Sequence, residues 1–417
     1  MTENRPPTVS FVIATHNRRQ VVLRTLARVR ECGLDRAKYE IILVDNASSD
    51  GTADAAQPMA DLVIRRRTNA GSCAKSYGVD MARGRFIVFL DDDSAPQPGS
   101  INRMIEHFDQ APRLGAAGFT VHLPGGELEG AALPNVFVGC GVGFRAEALR
   151  QAGGLDPTFF MQAEEYDLCF RLASAGWLVR IFDDLHVDHR KTPMARRRDR
   201  TMFYDIRNNL RVAARYFPHP HYREYRRDWL LRYEWLAESH GQLESFRRGR
   251  RSGSIGAIVE RYRYRNRRLP PSAWEAYFCT QSITAKMRRL SQHGTKRIVL
   301  AGLGKNIFPF VHAARTCDLD ISAIGDDQFA ARSRRYRAIP VIPFDEAMQL
   351  GADAVVIAHT GPVHAESTAE RLRSRCAVPI HNWFGKSKPK PTEQLNMEPD
   401  PSSADVTSSA PVCAVRG

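Results

Sequence analysis

Three consecutive carboxylates, Asp91, Asp92 and Asp93, stand directly after the apolar run Phe86–Leu90, which has the composition of a buried strand. Charges of one sign in such close succession repel one another unless a cation lies nearby. Hard carboxylate oxygens suit Mg²⁺ or Mn²⁺, which can bridge to a diphosphate. An acidic turn that caps the next helix would also explain an isolated triplet. The interpretation as a metal site therefore depends on support from neighbouring motifs.

Two more polar residues follow predicted strands in the same way. Asp45 comes directly after the run Glu40–Val44, and Thr15 follows the opening run Val9–Ala14. Ligands of open α/β sheets bind at the carboxyl ends of the strands. The sequence therefore predicts one crevice lined by a hydroxyl group and several carboxylates.

The elements that must hold these residues alternate between short apolar runs and longer stretches of helical period, up to about Val187. Arg19–Cys32 has the period of a helix. The predicted strands are Val9–Ala14, Tyr39–Val44, Asp61–Arg65 and Arg85–Leu90. This alternation, with several strands apolar throughout, predicts an α/β sheet covered by helices on both faces.

The order of these motifs resembles the nucleotide-sugar-binding half of family 2 glycosyltransferases, which have the GT-A fold. The family pattern contains an opening strand, VDNASxDGT, NxG and LDxD. In this chain they are Val9–Asn17, Val44–Thr52, Asn69–Gly71 and Leu90–Asp93. The resemblance covers roughly residues 8–218. One departure is Ser72–Gly78, where relatives often carry Arg-Asn before the glycine, and Lys75 is left outside the predicted site.

The resemblance implies roles for the residues at the strand ends. Asp45 is implied to contact the base or ribose of the donor, and Asp91 and Asp93 to hold Mn²⁺ or Mg²⁺ together with the donor diphosphate. The full set predicted to bind the donor is Thr15, Asp45, Asp91, Asp92 and Asp93.

A histidine is implied to complete the metal or diphosphate site. His186 and His189 both follow the predicted strand Leu178–Phe182, and His189 matches the family position better. A neutral imidazole is a good ligand for Mn²⁺. The predicted metal ligands are therefore Asp91, Asp93 and His189.

The family also carries Glu-Asp at the start of a helix, and its second acid is implied to be the general base. In this chain the corresponding residue is Glu165, with Glu164 as the rival. In a single inverting displacement, an acceptor hydroxyl attacks the anomeric carbon while a carboxylate takes its proton, and the metal stabilises the departing diphosphate.

Positive charge is concentrated in one stretch. Arg190–Arg268 contains 22 Lys and Arg against 8 Asp and Glu, an excess that equals the net charge of +14 of the whole chain. A basic surface of this kind attracts anionic lipid head groups or other acidic partners, although a solvated face of basic helices is the plainer interpretation. We predict peripheral contact of residues 190–268 with an anionic membrane.

A second, smaller α/β segment begins near Thr295. Gly302 and Gly304 follow a predicted strand but lack the third glycine of a dinucleotide motif, and Asp326 ends the next strand. The run Ile324–Asp327 and the run Tyr336–Pro343 resemble the small Rossmann-like domain found ahead of sugar acyltransferases. Gly302, Gly304 and Asp326 are therefore a candidate ligand site, with a structural or protein-interaction role as the alternative.

The predicted organisation is a GT-A domain at 1–218, a basic helical linker at 219–293, a Rossmann-like α/β domain at 294–384 and a disordered tail at 385–417. The eight cysteines form no CxxC pair, which favours neither a zinc site nor a disulfide framework and fits a reducing cytoplasm. No apolar run is long enough for a membrane helix or a signal peptide. We predict a cytoplasmic protein, in contact with the inner face of the membrane.

These observations predict a metal-dependent inverting glycosyltransferase that moves a sugar from a nucleotide-diphosphate sugar to a saccharide or lipid-linked hydroxyl acceptor. Similarity of Phe203–Pro218 to rhamnosyltransferase-like relatives hints at a deoxysugar donor. A sugar nucleotidyltransferase would need a glycine-rich loop after the first strand, where this chain has Thr15–Arg19 without glycine. A catalytically inactive scaffold and a basic nucleic-acid-binding protein are the alternatives from other classes, and nucleic acid is not the expected partner.

Overall fold

The computed structural model describes residues 6–191, 198–331 and 334–385. The strands of the first sheet are β1 (Val9–Thr15), β2 (Tyr39–Asp45), β3 (Leu62–Arg65), β4 (Phe86–Asp91), β5 (Ser94–Pro96), β6 (Leu114–His122), β7 (Leu128–Glu129), β8 (Gly141–Arg145) and β9 (Leu178–His189). Those of the second are β10 (Arg297–Ala301), β11 (Asp320–Gly325), β12 (Arg335–Tyr336), β13 (Ile339–Ile342), β14 (Ala354–Ile357) and β15 (Ile380–His381).

The α-helices accompany both sheets and fill the chain between them. They are α1 (Arg19–Arg30), α2 (Thr52–Ala56), α3 (Lys75–Val79), α4 (Ser100–Gln110), α5 (Ala146–Ala152), α6 (Glu164–Ser174), α7 (Arg198–Tyr216), α8 (His221–Ser239), α9 (Leu243–Arg263), α10 (Pro271–Phe278), α11 (Thr280–Gln292), α12 (Phe308–Thr316), α13 (Phe344–Gln349) and α14 (Pro362–Leu372). None of the helices in the described part of the chain combines the length and apolarity needed to cross a membrane.

The first sheet has the strand order β3-β2-β1-β4-β8-β6-β9-β5, and β7 pairs with β6. Strands β3, β2, β1 and β4 are parallel, whereas β8 is antiparallel to both of its neighbours. The register pairs Thr15 with Asp45 and Ala14 with Asp91. The predicted α/β sheet is confirmed, and its register brings the polar strand ends to one edge.

Strand β9 is longer than the sequence indicates. It continues past Phe182 to His189, with a register shift against β6 between Phe119 and Thr120. Its last residues pair antiparallel with β5, so that His189 lies opposite Ser94. This pairing carries His189 to the end of the aspartate triplet (Asp91–Asp93).

Apolar side chains of the first sheet and of the helical region share one core. Val12, Ile87 and Phe144 belong to the same buried cluster as Trp229 and Trp274, which come from the helices that follow residue 218. The aromatic spacing in this region thus serves packing, because these rings are buried. The domain boundaries stay a prediction, and the described residues up to Gly385 form one compact unit.

The second sheet has the order β12-β13-β11-β10-β14-β15 and is parallel except for β12. The loop after β10 packs on the helical region: the indole of Trp229 donates a hydrogen bond to the carbonyl of Lys305 at 2.8 Å, and Tyr225 donates to Asn306 at 2.5 Å. The smaller α/β segment predicted from the sequence is therefore present as a separate sheet.

Candidate active site

The aspartate triplet lies at the carboxyl end of β4, and each of its side chains contacts a cation. Arg18, just after β1, reaches the carboxylates of Asp92 and Asp93, the latter at 2.9 Å. Thr15 also donates a hydrogen bond to Asp92, at 2.8 Å. Burial raises the pKa of Asp92 to about 7, although Arg18 and Thr15 act in the opposite direction. The carboxylate of Asp92 is therefore held mainly by residues at the end of β1.

Lys75 belongs to this cluster, contrary to the sequence-based prediction that left it outside the site. Its ammonium lies 2.5 Å from Asp91 Oδ1 and 2.8 Å from the carbonyl oxygen of Gly139. The Lys75 side chain is 3% exposed, whereas that of Asp91 is 39% exposed. Burial opposes the charge of the ammonium, but Asp91 raises the pKa of Lys75 above its ordinary value. A fixed positive charge therefore stands beside a carboxylate that solvent can reach.

His189 joins the triplet to a residue that the sequence analysis did not select. Its Nε2 lies 3.3 Å from Asp93 Oδ1, and its Nδ1 lies 2.7 Å from Glu129 Oε2. Burial opposes the charge on the ring, but its hydrogen bonds to Asp93, Cys140 and Glu129 raise the pKa of His189 to about 12. The hydrogen bonds from His189 and Arg18 hold the pKa of Asp93 well below its usual range despite burial.

The residues at this edge fit a hard divalent cation. Asp91, Cys140 and His189 present ligand atoms that all lie within 4.8 Å of one another. The thiol of Cys140 is buried and burial raises its pKa to about 11, and a soft sulfur is a poor ligand for a hard cation. Asp91 and the neighbouring Asp93 offer oxygen atoms that suit Mn²⁺, and His189 would add a nitrogen ligand if the incoming cation displaced the proton from its Nε2.

Asp45 lies beside Thr15 and has an unused acceptor. Its Oδ2 accepts a hydrogen bond from the backbone N–H of Ser48 at 3.2 Å. Its Oδ1 is buried without a hydrogen-bond partner among the described residues. A buried acceptor without a donor costs free energy, about 1–3 kcal/mol, so this atom indicates a place for a ligand donor. Nearby, Asn46 bonds Asn69 at 3.0 Å, which joins the two loop motifs.

Glu165 comes from the first turn of α6 and is close enough to Lys75 and Asp91 for their charges to act on its carboxyl. A Cβ atom on Gly139 would lie 3.0 Å from Glu165 Oε1, so Gly139 lies next to Glu165 and also accepts the hydrogen bond from Lys75. Burial first, and then the charge of Glu164, raise the pKa of Glu165 well above its ordinary value. Glu164 is more enclosed: it accepts a hydrogen bond from Ser72, and its Oε2 has no partner among the described residues.

The turn before α6 is held in an uncommon backbone conformation. Phe160, Gln162 and Ala163 have φ angles of 67°, 69° and 63°, which are unfavourable for residues other than glycine. The side-chain amide of Asn208, from α7, donates to the carbonyls of Phe159, Met161 and Gln162 at 3.0, 2.8 and 2.8 Å. These bonds fix the entry of the chain into the helix that carries Glu165.

A buried ion-pair network anchors the other side of α6. Asp167 is fully buried and accepts hydrogen bonds from Arg171 at 2.7 Å, Arg215 at 2.8 Å and the Tyr216 hydroxyl at 2.7 Å. Asp167 therefore joins α6 to α7 and is not available as a base. The sequence contains no signal for this pairing, because Arg215 is 48 residues away.

The three residues of the candidate C-terminal ligand site serve the packing of the second sheet. A Cβ atom on Gly302 would lie 2.2 Å from the ring of His359, and one on Gly304 would lie 2.6 Å from the carbonyl of Ala358. Asp326 accepts hydrogen bonds from the backbone N–H groups of Leu303, Gln328 and Phe329, at 2.6, 2.9 and 2.9 Å respectively. Their glycine and acid identities are explained without a dinucleotide, although Gly302 and Asp326 line a cavity.

Comparison with known proteins finds similarity to glycosyltransferases in the first part of the chain. Residues 10–152 match the family model Glycosyl transferase family 2. The succinoglycan biosynthesis protein ExoO of Rhizobium meliloti is 30% identical over 112 residues, which is 26% of this chain and 32% of that protein. The glycosyltransferase AglE of Haloferax volcanii is 26% identical over 129 residues, which is 30% of this chain and 40% of that protein. The chain thus spans about a third of the length of these curated relatives.

Among solved structures, the chain is similar to a mannosyltransferase from Pyrobaculum calidifontis, PcManGT, in complex with GDP-Man and Mn²⁺. The TM-score is 0.44 at 18% identity, over 62% of this chain and 88% of that chain. Staphylococcus aureus TarS gives a TM-score of 0.44 at 12% identity, over 74% and 55% of the two chains.

Proposed function

Because residues 10–152 match the family model Glycosyl transferase family 2, we propose that this protein is a metal-dependent inverting glycosyltransferase. It moves a sugar from a nucleotide-diphosphate donor to a hydroxyl acceptor in the synthesis of a cell-surface polysaccharide or glycolipid. The observation that carries the proposal is that Glu165 lies next to Gly139, whose carbonyl accepts a hydrogen bond from Lys75, and that Lys75 also pairs with Asp91. A candidate base is thereby close to the carboxylates at the end of β4.

Donor binding in this proposal uses the polar strand ends. Asp45 accepts a hydrogen bond from the nucleoside through its unpaired Oδ1, as a buried acceptor favours. Asp91, Asp93 and His189 would hold one Mn²⁺ or Mg²⁺ ion, which when bound stabilises negative charge on the departing diphosphate. Arg18 and Lys75 keep the carboxylates of the triplet in place through the ion pairs described above.

Proton transfer belongs to Glu165. The acceptor hydroxyl attacks the anomeric carbon, the carboxylate of Glu165 takes the hydroxyl proton, and the bond from the anomeric carbon to the donor phosphate oxygen breaks. A carboxylate with a raised pKa is a stronger base than an ordinary glutamate, so the shift favours this role.

The test of the proposal is calorimetric binding of UDP, GDP and dTDP to the full chain, each with and without Mn²⁺. We expect one nucleotide to bind, and its affinity to depend on the metal. Binding of none of the three would contradict the proposed donor site, and the inactive-scaffold alternative would then be favoured.

The proposal includes a membrane-facing surface on α9, which supports peripheral contact. Ile255, Ile258, Val259 and Tyr262 stand at helical spacing and are 59%, 74%, 61% and 74% exposed. Exposed arginines flank this apolar patch on both sides, namely Arg247, Arg248, Arg250, Arg251, Arg263, Arg265 and Arg267. Exposed apolar side chains within a basic helix match the interfacial zone of an anionic bilayer. Of the basic stretch 190–268, residues 192–197 lie outside the described residues.

We expect the full chain to sediment with phosphatidylglycerol vesicles at low salt, and Ile258→Glu to weaken this binding at least ~10-fold, because burial of such a side chain is worth about 1.5–3 kcal/mol. Gln281→Glu on α11 adds the same charge at an exposed position away from the patch and should bind like the parent protein. Absence of vesicle binding by the parent protein, or equal loss in both variants, would be evidence against the α9 surface.

A further inference from the structure

The second sheet contains a cavity of about 240 Å³ that the proposed glycosyl transfer does not use. It lies at the carboxyl ends of β10 and β11, beside the loop that follows β14. Strands β11 and β14 stand on opposite sides of β10, so the cavity occupies the point where the strand order reverses. In open parallel sheets this is where ligands bind.

Two arginines in the cavity wall, Arg232 and Arg371, form no direct ion pair with any described residue. Arg232 donates to the carbonyl of Leu303 at 3.1 Å and lies 5.0 Å from the ring centre of Phe329, and Arg371 has only long contacts of 3.4 Å to its own helix. Neither makes an ion pair with a carboxylate of the described ranges, 6–191, 198–331 and 334–385. The cavity wall therefore contains two guanidinium groups that make no direct ion pair, although Arg371 is close enough to Asp327 to help lower the pKa of that carboxyl.

The acids that face the cavity are already engaged. Both oxygens of Asp326 accept backbone hydrogen bonds, and Asp327 pairs with Arg375 at 3.0 Å and accepts from the N–H of Phe344 at 3.0 Å. Arg375 also pairs with Asp345. These four charged residues satisfy one another or the backbone, and they leave Arg232 and Arg371 for a ligand.

The histidines of the wall are neutral. Burial first, and then His364, Arg232 and Arg371, lower the pKa of His359 to about 3. His364 also has a lowered pKa, and its Nε2 lies 3.1 Å from the carbonyl of Gly130. Neutral imidazoles can donate a hydrogen bond without adding charge.

The geometry does not fit a dinucleotide. The loop before α12, where such a fold holds its pyrophosphate, is filled by its own buried side chains: Asn306 bonds Phe278 and Thr360, and Lys305 bonds Asn209. A ligand of this cavity must be smaller, because about 240 Å³ lies below the roughly 300–1,000 Å³ of typical cofactor pockets.

We propose that this cavity binds a small anion with a phosphate or carboxylate group, held by the guanidinium groups of Arg232 and Arg371. A planar guanidinium can donate two parallel hydrogen bonds to either kind of group. Thr368 and Ser367, from the α14 face that lines the cavity, supply hydroxyls beside Arg371. This site is independent of the proposed sugar transfer.

The test is calorimetric titration of the full chain with inorganic phosphate and, separately, with succinate. Both titrations are made at constant ionic strength and in the absence of divalent metal. We expect one of them to bind, and Arg371→Gln to weaken that binding at least ~10-fold through the loss of a charged hydrogen-bond donor. Arg371 is exposed at the mouth, so the variant should fold. Phosphate binding alone would identify a phosphate site, and succinate binding alone a carboxylate site.

The matched control is Arg373→Gln. Arg373 is exposed next to the same helix and pairs with Glu366, but it does not line the cavity. The Arg373→Gln substitution removes the same charge from a basic protein but not from the cavity, so it should leave the affinity for the anion unchanged. Equal affinity of Arg371→Gln and the parent protein, equal loss in both variants, or binding of neither anion by the parent protein would overturn the proposal.

Discussion

Glu165→Gln is expected to lower the rate of sugar transfer at least ~10²-fold, because general base catalysis typically contributes 10²–10⁴-fold. Glutamine keeps the shape of the side chain but cannot accept the proton of the acceptor hydroxyl. Donor binding should remain, since the proposed donor ligands lie at the ends of β1, β2 and β4. Measurement of kcat beside calorimetric nucleotide affinity separates the two effects.

The control for this variant is Glu147→Gln, which changes an exposed glutamate of α5 in the same domain. It should transfer sugar at the parent rate. A Glu165→Gln protein with parental kcat would remove Glu165 as the base. Glu164 would then be the remaining acid of the pair, although its contact with Ser72 encloses it.

The pH profile gives an independent readout of the same residue. A base must be ionised, so kcat/KM falls as the pH drops through the pKa of Glu165. Because burial and Glu164 raise this pKa, the acidic limb should lie above the ordinary glutamate value of about 4.3. Glu164→Gln removes the negative neighbour, which lowers the pKa of Glu165 and moves the limb to lower pH. A limb that stays in place in Glu164→Gln would contradict the coupling between the two acids.

Asp93→Ala is expected to abolish the dependence of nucleotide affinity on Mn²⁺. The carboxylate of Asp93 is held ionised by Arg18 and His189, and an ionised oxygen is the form that binds a hard cation. We expect the Kd of the nucleotide in Mn²⁺ to rise at least ~10-fold, to the value measured without metal, because a charged contact is worth about 1.5–3 kcal/mol. Calorimetry with and without Mn²⁺ checks this directly.

Removal of Asp93 also leaves Arg18 and His189 without a shared partner, and breaking a buried pair typically costs about 3–5 kcal/mol of stability. Asp93→Asn, which keeps the volume and an acceptor oxygen, is therefore needed beside the alanine variant. Asp184→Ala removes an exposed carboxylate of β9, outside the proposed site, and should keep the metal dependence. Parental, Mn²⁺-dependent affinity in a folded Asp93→Asn protein would show that this carboxylate does not hold the metal.

The site edge was predictable because its signal is local. A buried strand can be recognised from its run of apolar residues, and a polar residue at the end of that run must lie at the edge of the sheet. With parallel strands, Thr15, Asp45 and Asp91 then share one edge without any further information. The position of Glu165 in the first turn of a helix follows from the sequence in the same way.

The partners of these residues were not predictable, because they come from distant parts of the chain. Arg18 is 74 residues from Asp92, and Glu129 is 60 residues from His189. Their ion pairs depend on how the strands cross and on the reach of long side chains, which leave no periodic trace in the sequence. Lys75 is the partner that lies nearest in sequence, 16 residues from Asp91. It begins the short helix α3, and its buried ammonium donates a hydrogen bond to Asp91.

The amino-acid sequence by itself determined the α/β sheets, the polar strand ends and the basic character of the helical region, because each depends on neighbouring residues. Only the tertiary structure decided which charges are compensated. It pairs Asp326 with backbone N–H groups and leaves Arg371 at a cavity mouth without a direct ion pair in the described residues. Charge compensation depends on which side chains come into contact in three dimensions. In a desolvated site, these contacts determine which groups are ionised and therefore which chemistry the site can perform.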